Sequence, residues 1–115
     1  MTSAAKVANR RGHKLLTKEL EKKLPPLYAN EGVDNPVVHV KFFTPYSDWT
    51  WYATEYDPEE RLFFGLVDGF EAELGYFSLD ELDALTALNG MLPAVERDTG
   101  FPSTPLSEVR RFINR

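Results

Sequence analysis

Residues 37–77, VVHVKFFTPYSDWTWYATEYDPEERLFFGLVDGFEAELGYF, decide the fold. Val38, Val40 and Phe42 alternate with His39, Lys41 and Phe43, the period of a half-buried strand over residues 37–44. Residues 45–48 are a turn by composition. Residues 49–57 alternate again, with Trp49, Trp51, Ala53 and Glu55 opposite Thr50, Tyr52, Thr54 and Tyr56. Asp57-Pro58-Glu59-Glu60 closes that strand, residues 61–66 make a third and residues 70–77 a fourth. A two-residue Asp68-Gly69 turn would bury Glu71 and Glu73 beside Leu66 and Phe64, which is costly for unpaired carboxylates. A three-residue loop, Val67-Asp68-Gly69 with Gly69 left-handed in a bulge, instead sets Leu62, Phe64 and Leu66 opposite Leu74, Ala72 and Phe70. That register is the expected one.

On either side of this block the signals are helical. Thr17 caps a short helix that Pro25-Pro26 ends, and Leu15, Leu16, Leu20 and Leu24 give it an apolar stripe. Ser78 and Glu81 form a capping box for a helix running to about Leu88, closed by Asn89-Gly90. Residues 91–104 are expected to be irregular or to hold one short strand near residues 94–97. Thr104 caps a last helix with Pro105 at its first position, and Leu106, Val109, Phe112 and Ile113 form its apolar side. The fold class expected is α+β: a four-stranded, mainly antiparallel meander sheet packed by short helices on one face. Residues 1–14 read as a flexible basic tail and residues 15–115 as a single α+β domain.

With 115 residues and no cysteine, disulfides, zinc–thiolate sites and thiol nucleophiles are excluded. No secretory signal and no membrane-length apolar run is legible, so a cytoplasmic protein with no membrane association is expected. The net charge of −5 hides a strong asymmetry. Residues 1–23 carry +5, residues 24–109 carry −13 and residues 110–115 carry +3. An acidic body favours a protein partner with a basic surface; nucleic acid contact falls to the basic termini.

A meander with four-residue turns places Phe42, Trp51, Ala53, Phe64 and Leu66 on one apolar face. The other face then collects Lys41, Tyr52, Gly65 and Glu71 in one row and His39, Thr54, Phe63 and Glu73 in a second. Lys41, Tyr52, Thr54, Tyr56, Phe63, Gly65, Glu71 and Glu73 form the candidate binding face, with mid-strand Gly65 as a dip. That face is open to a flat ring, a peptide or a basic side chain, unless a helix covers it. Glu96, Arg97 and Asp98 form a candidate loop, either ion-paired as a lock or presenting a forked donor. No catalytic residue, metal or cofactor is assigned. Glu71 and Glu73 share a strand face but lack the following lysine of metal nucleases, and the serines sit in turns and caps. The balance leans away from an enzyme.

The strings KFFTPYSDWTWYATEYD, FFGLVDGFEAELGYFSLDEL and ERDTGF resemble a family of small uncharacterised bacterial and archaeal proteins, a domain of unknown function. The likeness spans residues 15–108. The family is often encoded on plasmids, integrative elements and phages. The resemblance implies a setting in mobile DNA, near antirestriction and plasmid-maintenance functions, and no activity. The function expected is therefore a non-catalytic acidic interaction protein of a mobile genetic element, one that counteracts a host defence or DNA-processing system. Small-molecule or nucleotide binding at the outer sheet face, with or without hydrolysis, is the alternative. A DNA-associated accessory role through the basic termini is the third.

Overall fold

The computed structural model describes residues 10–114. In chain order it contains α1 (Lys18–Lys23), β1 (Val37–Val38), β2 (Val40–Phe43), β3 (Thr50–Asp57), β4 (Leu62–Asp68), β5 (Ala72–Ser78), α2 (Leu79–Ala84), β6 (Thr86–Ala87), β7 (Leu92–Pro93), β8 (Glu96–Arg97), β9 (Thr104–Pro105) and α3 (Leu106–Ile113). The class is α+β. The main sheet has five antiparallel strands in the order β5-β4-β3-β2-β8, one more than the expected meander, because the short strand 96–97 adds beside β2. Two small ribbons, β1-β9 and β6-β7, lie outside it.

Pairing of β2 with β3 follows the expected register, Phe42 opposite Trp51 and Lys41 opposite Tyr52. From β3 onward it departs. The turn is 58–61, with Asp57 opposite Leu62, and a bulge at Thr54 then slips the ladder between Ala53 and Glu55. Ala53 therefore faces Gly65 rather than Phe64, and Trp51 faces Val67 rather than Leu66. A one-residue slip turns a whole strand over, and β4 tolerates it because Leu62, Phe63, Phe64, Leu66 and Val67 are apolar on both sides. The β4–β5 loop is 69–71, with Asp68 opposite Ala72 and Leu66 opposite Leu74. The expected Val67-Asp68-Gly69 loop with left-handed Gly69 is not formed; Gly69 donates instead to the Glu71 carbonyl. Trp49 holds the loop there, lying against Gly69 and edge-on to Phe70 at 5.5 Å.

Helices cover both faces, not one. On the first face Val40, Phe42, Trp51, Ala53, Tyr56, Phe63 and Phe77 pack with Leu15, Leu24, Leu79, Leu82 and Val95. On the second, Tyr52 and Leu66 pack with Val38, Leu106 and Val109, so α3 is the cover. The six residues Trp51 to Tyr56 are consequently all buried. Each fully buried aliphatic or aromatic side chain there stabilises the fold by about 1.5–3 kcal/mol relative to exposure.

Thr17 and Ser78 cap their helices as read, accepting from Leu20 N–H and Glu81 N–H. The second helix stops at Ala84 rather than Leu88. Leu88, Asn89 and Gly90 have φ of 54°, 57° and 82° and turn the β6–β7 hairpin, so Asn89-Gly90 is a hairpin tip rather than a helix stop. Thr104 does not cap α3: it pairs with Val38 across β1-β9, and Pro105 precedes the helix without a side-chain cap.

Residues 1–9 of the expected basic tail lie outside the described residues, and residues 10–14 pack on the body. Arg11 Nη1 meets Asp83 at 2.6 Å and its Nε donates to the Val95 carbonyl at 2.7 Å. His13 Nε2 accepts from Arg97 N–H at 3.0 Å. Burial, with Arg97 and Arg11 adding to it against Glu96, lowers the His13 pKa from its ordinary 6.5.

Gly65 allows the bulge: a Cβ there would stand 1.8 Å from the Tyr52 carbonyl oxygen. Gly65→Ala should destabilise by about 3 kcal/mol or more, whereas Gly75→Ala, whose Cβ meets nothing within 4 Å, should stay within about 0.5 kcal/mol. Urea unfolding of the two variants checks this, and equal losses would refute the close approach. Because folding lowers the His13 pKa, the unfolded chain binds the extra proton first. This contribution is complete above 6.5 and is lost as pH falls below it toward the folded value. Comparing wild type with His13→Gln between pH 7.5 and 5.5 should show the variant's stability falling less on acidification.

Candidate functional site

The bulge that resets the register also positions a buried carboxylate. Glu55, 4% exposed, has no ion pair among the described residues; its Oε1 accepts Tyr28 N–H at 2.9 Å and its Oε2 accepts Asn30 N–H at 2.8 Å. Asn30 returns a longer bond to the Thr54 carbonyl at 3.4 Å. Two charge-assisted bonds hold loop 27–36 against the sheet and keep Tyr28 at φ 72°, a strained position for a residue with a Cβ.

Held there, Tyr28 lines one groove with Tyr76 of β5, and the Tyr28 hydroxyl, as a hydrogen-bonding neighbour, leads the causes that raise the Tyr76 pKa. Tyr76 in turn sits edge-on to Phe64 at 5.0 Å. α3 covers the middle of this sheet face but not its β5 side. Tyr28, Leu74 and Tyr76 are 65%, 50% and 51% exposed. Between loop and helix lies a groove of about 340 Å³, floored by Phe64, Leu74 and Tyr76 and walled by Glu31, Asp34 and Arg110. With Glu55 the groove holds three carboxylates against one guanidinium. Among the described residues β5 is also a sheet edge, paired only with β4. Its outer backbone groups are available for a further strand.

The residues expected to form one binding face are divided by the bulge. Lys41 and Tyr52 lie together under α3, with Lys41 Nζ 5.9 Å from the Tyr52 ring centroid and 3.6 Å from Asp98 Oδ2. Burial, with Asp68 and Asp98 adding to it, raises the Tyr52 pKa above 10.0. Thr54 sits in the bulge and donates to the Phe64 carbonyl at 3.1 Å. Tyr56, Phe63 and Gly65 belong to the opposite face, with Tyr56 and Phe63 rings 4.6 Å apart in the core. Glu71 and Glu73 remain exposed at the β5 end. In the loop, Glu96 and Arg97 pair with Phe43 and Phe42. Arg97 Nη1 donates to the Lys14 carbonyl at 2.6 Å, and Asp98 N–H donates to the Lys41 carbonyl at 2.9 Å. The triplet is tied down through backbone carbonyls and Lys41, with no ion pair within it among the described residues. Sequence reasoning assigned no role to Glu55 or Tyr28; the available signal was an acid set between Thr54 and Tyr56 in an aromatic strand.

Among the described residues, no three His, Asp or Glu side chains are grouped to hold a metal ion, and no helix is long and apolar enough to cross a membrane. The model of the family described as "Protein of unknown function (DUF2958)" matches residues 13–114, and the chain belongs to that family. No curated protein and no solved structure matches it.

Glu55→Gln turns one buried acceptor into an amide donor facing a backbone N–H, and should cost about 1–3 kcal/mol. Tryptophan fluorescence in urea measures it against Glu31→Gln, an exposed change expected to stay within about 0.5 kcal/mol. Equal effects would remove Glu55 from its anchoring role.

Proposed function

We propose that this family member is a non-catalytic interaction protein whose open β5 edge takes up an extended, basic segment of a partner protein. The observation that carries the reading is the edge itself. Among the described residues it is a seven-residue strand with one free side, carrying Leu74 and Tyr76 and bordered by the Tyr28 groove. Charge selects the partner. Residues 68–81 hold Asp68, Glu71, Glu73, Asp80 and Glu81 with no lysine or arginine. Such an edge repels a second copy of itself and attracts a strand rich in arginine or lysine. Main-chain bonds give affinity and alternate side chains give specificity. Every second side chain of the incoming strand overhangs the groove, where a guanidinium lies on the Tyr28 and Tyr76 rings beside Glu31 and Asp34.

The resemblance to proteins of plasmids, integrative elements and phages supplies a setting. In it, the partner is a host defence or DNA-processing protein whose basic surface otherwise holds nucleic acid. Small-molecule binding at the originally expected face loses its motivation, because α3 lies over Tyr52 and Leu66.

An eight-residue peptide of alternating arginine and valine is the direct probe. Calorimetry should show salt-sensitive binding that weakens at least about tenfold, or 1.4 kcal/mol, in the double variant Glu71→Lys, Glu73→Lys. Affinity indifferent to charge reversal, or a peptide with serine for arginine binding as well, would overturn the reading.

A further inference from the structure

On the opposite side of the sheet, where residues 11–16 pack against the start of α2, lies a second cavity of about 450 Å³. Its charge is the reverse of the body's. Arg11, Lys14 and Arg61 line it against the single carboxylate of Asp83, within a chain whose residues 24–109 carry −13. Pairing within the fold accounts for this concentration of cations only in part: Arg11 meets Asp83 and Arg61 meets Asp80. Lys14 makes no ion pair among the described residues, and Arg61 commits Nε to Asp80, which lies outside the cavity lining.

Arg11 supplies the second observation. Its side chain is 3% exposed. Nε is bonded to the Val95 carbonyl and Nη1 to Asp83, while Nη2 is buried and has no partner among the described residues. A buried guanidinium N–H left unbonded is costly, and the group is built for forked donation to oxyanions. His13, also in the lining, has Nε2 occupied by Arg97 N–H, and burial first, then Arg97 and Arg11, lower its pKa.

We propose that this cavity binds a phosphate group, with Arg11 Nη2 donating to it and Lys14 and Arg61 balancing its charge. Arg11 Nη2 and the Lys14 ammonium, the donors not committed to carboxylates, suit a tetrahedral phosphate that accepts on several oxygens at once better than a single carboxylate. The cavity is larger than phosphate alone requires, so the group is either free or the ester end of a larger metabolite. This site is separate from the β5 groove and does not depend on it.

The full-length chain titrated with inorganic phosphate, phenyl phosphate and acetate, each against sodium chloride at equal ionic strength, tests the assignment by NMR. Saturable shifts at the amides of Gly12, Lys14, Leu15 and Leu79 are expected with a phosphate-bearing probe. The dissociation constant should rise at least about fivefold in Lys14→Gln and in Arg61→Gln, both changes at surface side chains that leave the core intact. Arg11→Lys, which keeps the charge and removes Nη2, should also weaken binding. Tighter binding of phenyl phosphate identifies an ester as the source, and tighter binding of inorganic phosphate identifies the free anion; either ranking upholds the site. Shifts equal to those with sodium chloride, acetate binding as tightly as phosphate, or unchanged constants in the Lys14 and Arg61 variants would overturn it.

Discussion

The bulge at Thr54, with Glu55 beside it, is the constraint on which the rest of the molecule depends. Inserting one residue into the central strand brings the Tyr52 carbonyl over Gly65, where no side chain is tolerated. It turns β4 and β5 over relative to β2, so that Phe63 joins Phe42 and Tyr56 on one face and Leu66 joins Tyr52 on the other. It also buries a carboxylate whose two oxygens are satisfied by the backbone of loop 27–36. Core, loop and groove are therefore one construction, since moving the bulge would move the carboxylate away from the loop it holds.

The same sheet separates two electrostatic environments. The basic N-terminal segment folds onto the first face, where Arg11 meets Asp83 and Arg97 reaches back to the carbonyls of Lys14 and Leu15. β5 itself carries no lysine or arginine, and Glu71 and Glu73 stand along the edge strand without an ion pair among the described residues. Natural edge strands are commonly protected by lysine, proline or a covering element. β5 instead carries exposed Leu74 and Tyr76 beside carboxylates. An apolar, acidic edge is shielded from copies of itself by charge while it stays open to a basic strand.

Much of the fold was legible in the sequence. Period-two alternation located β2 and β3 and set Phe42 opposite Trp51. Thr17 and Ser78 marked helix starts because a side-chain oxygen before the first turn has a definite use there. Register beyond β3 was not legible, because Leu62–Val67 offers apolar side chains to both faces and burial cannot choose between them. The assumption of a one-sided sheet followed from the same ambiguity, and it led to a candidate face whose members the bulge divides. Glu71 and Glu73 kept their expected exposure, since burying an unpaired carboxylate is expensive wherever the strand lies. Glu55 was given no anchoring role because its partners are backbone N–H groups more than twenty residues away, which no local pattern announces.

The central claim is that the β5 edge and the loop pinned by Glu55 act together as a receptor for a basic strand. Amide hydrogen exchange of the full chain, with and without the arginine–valine peptide, tests it most directly. Added protection is expected only at residues 72–78 and in the Tyr28–Asn30 stretch, with none at residues 11–16 or along α3. Protection spread over α3, or absent from β5 while the peptide is bound, would contradict it.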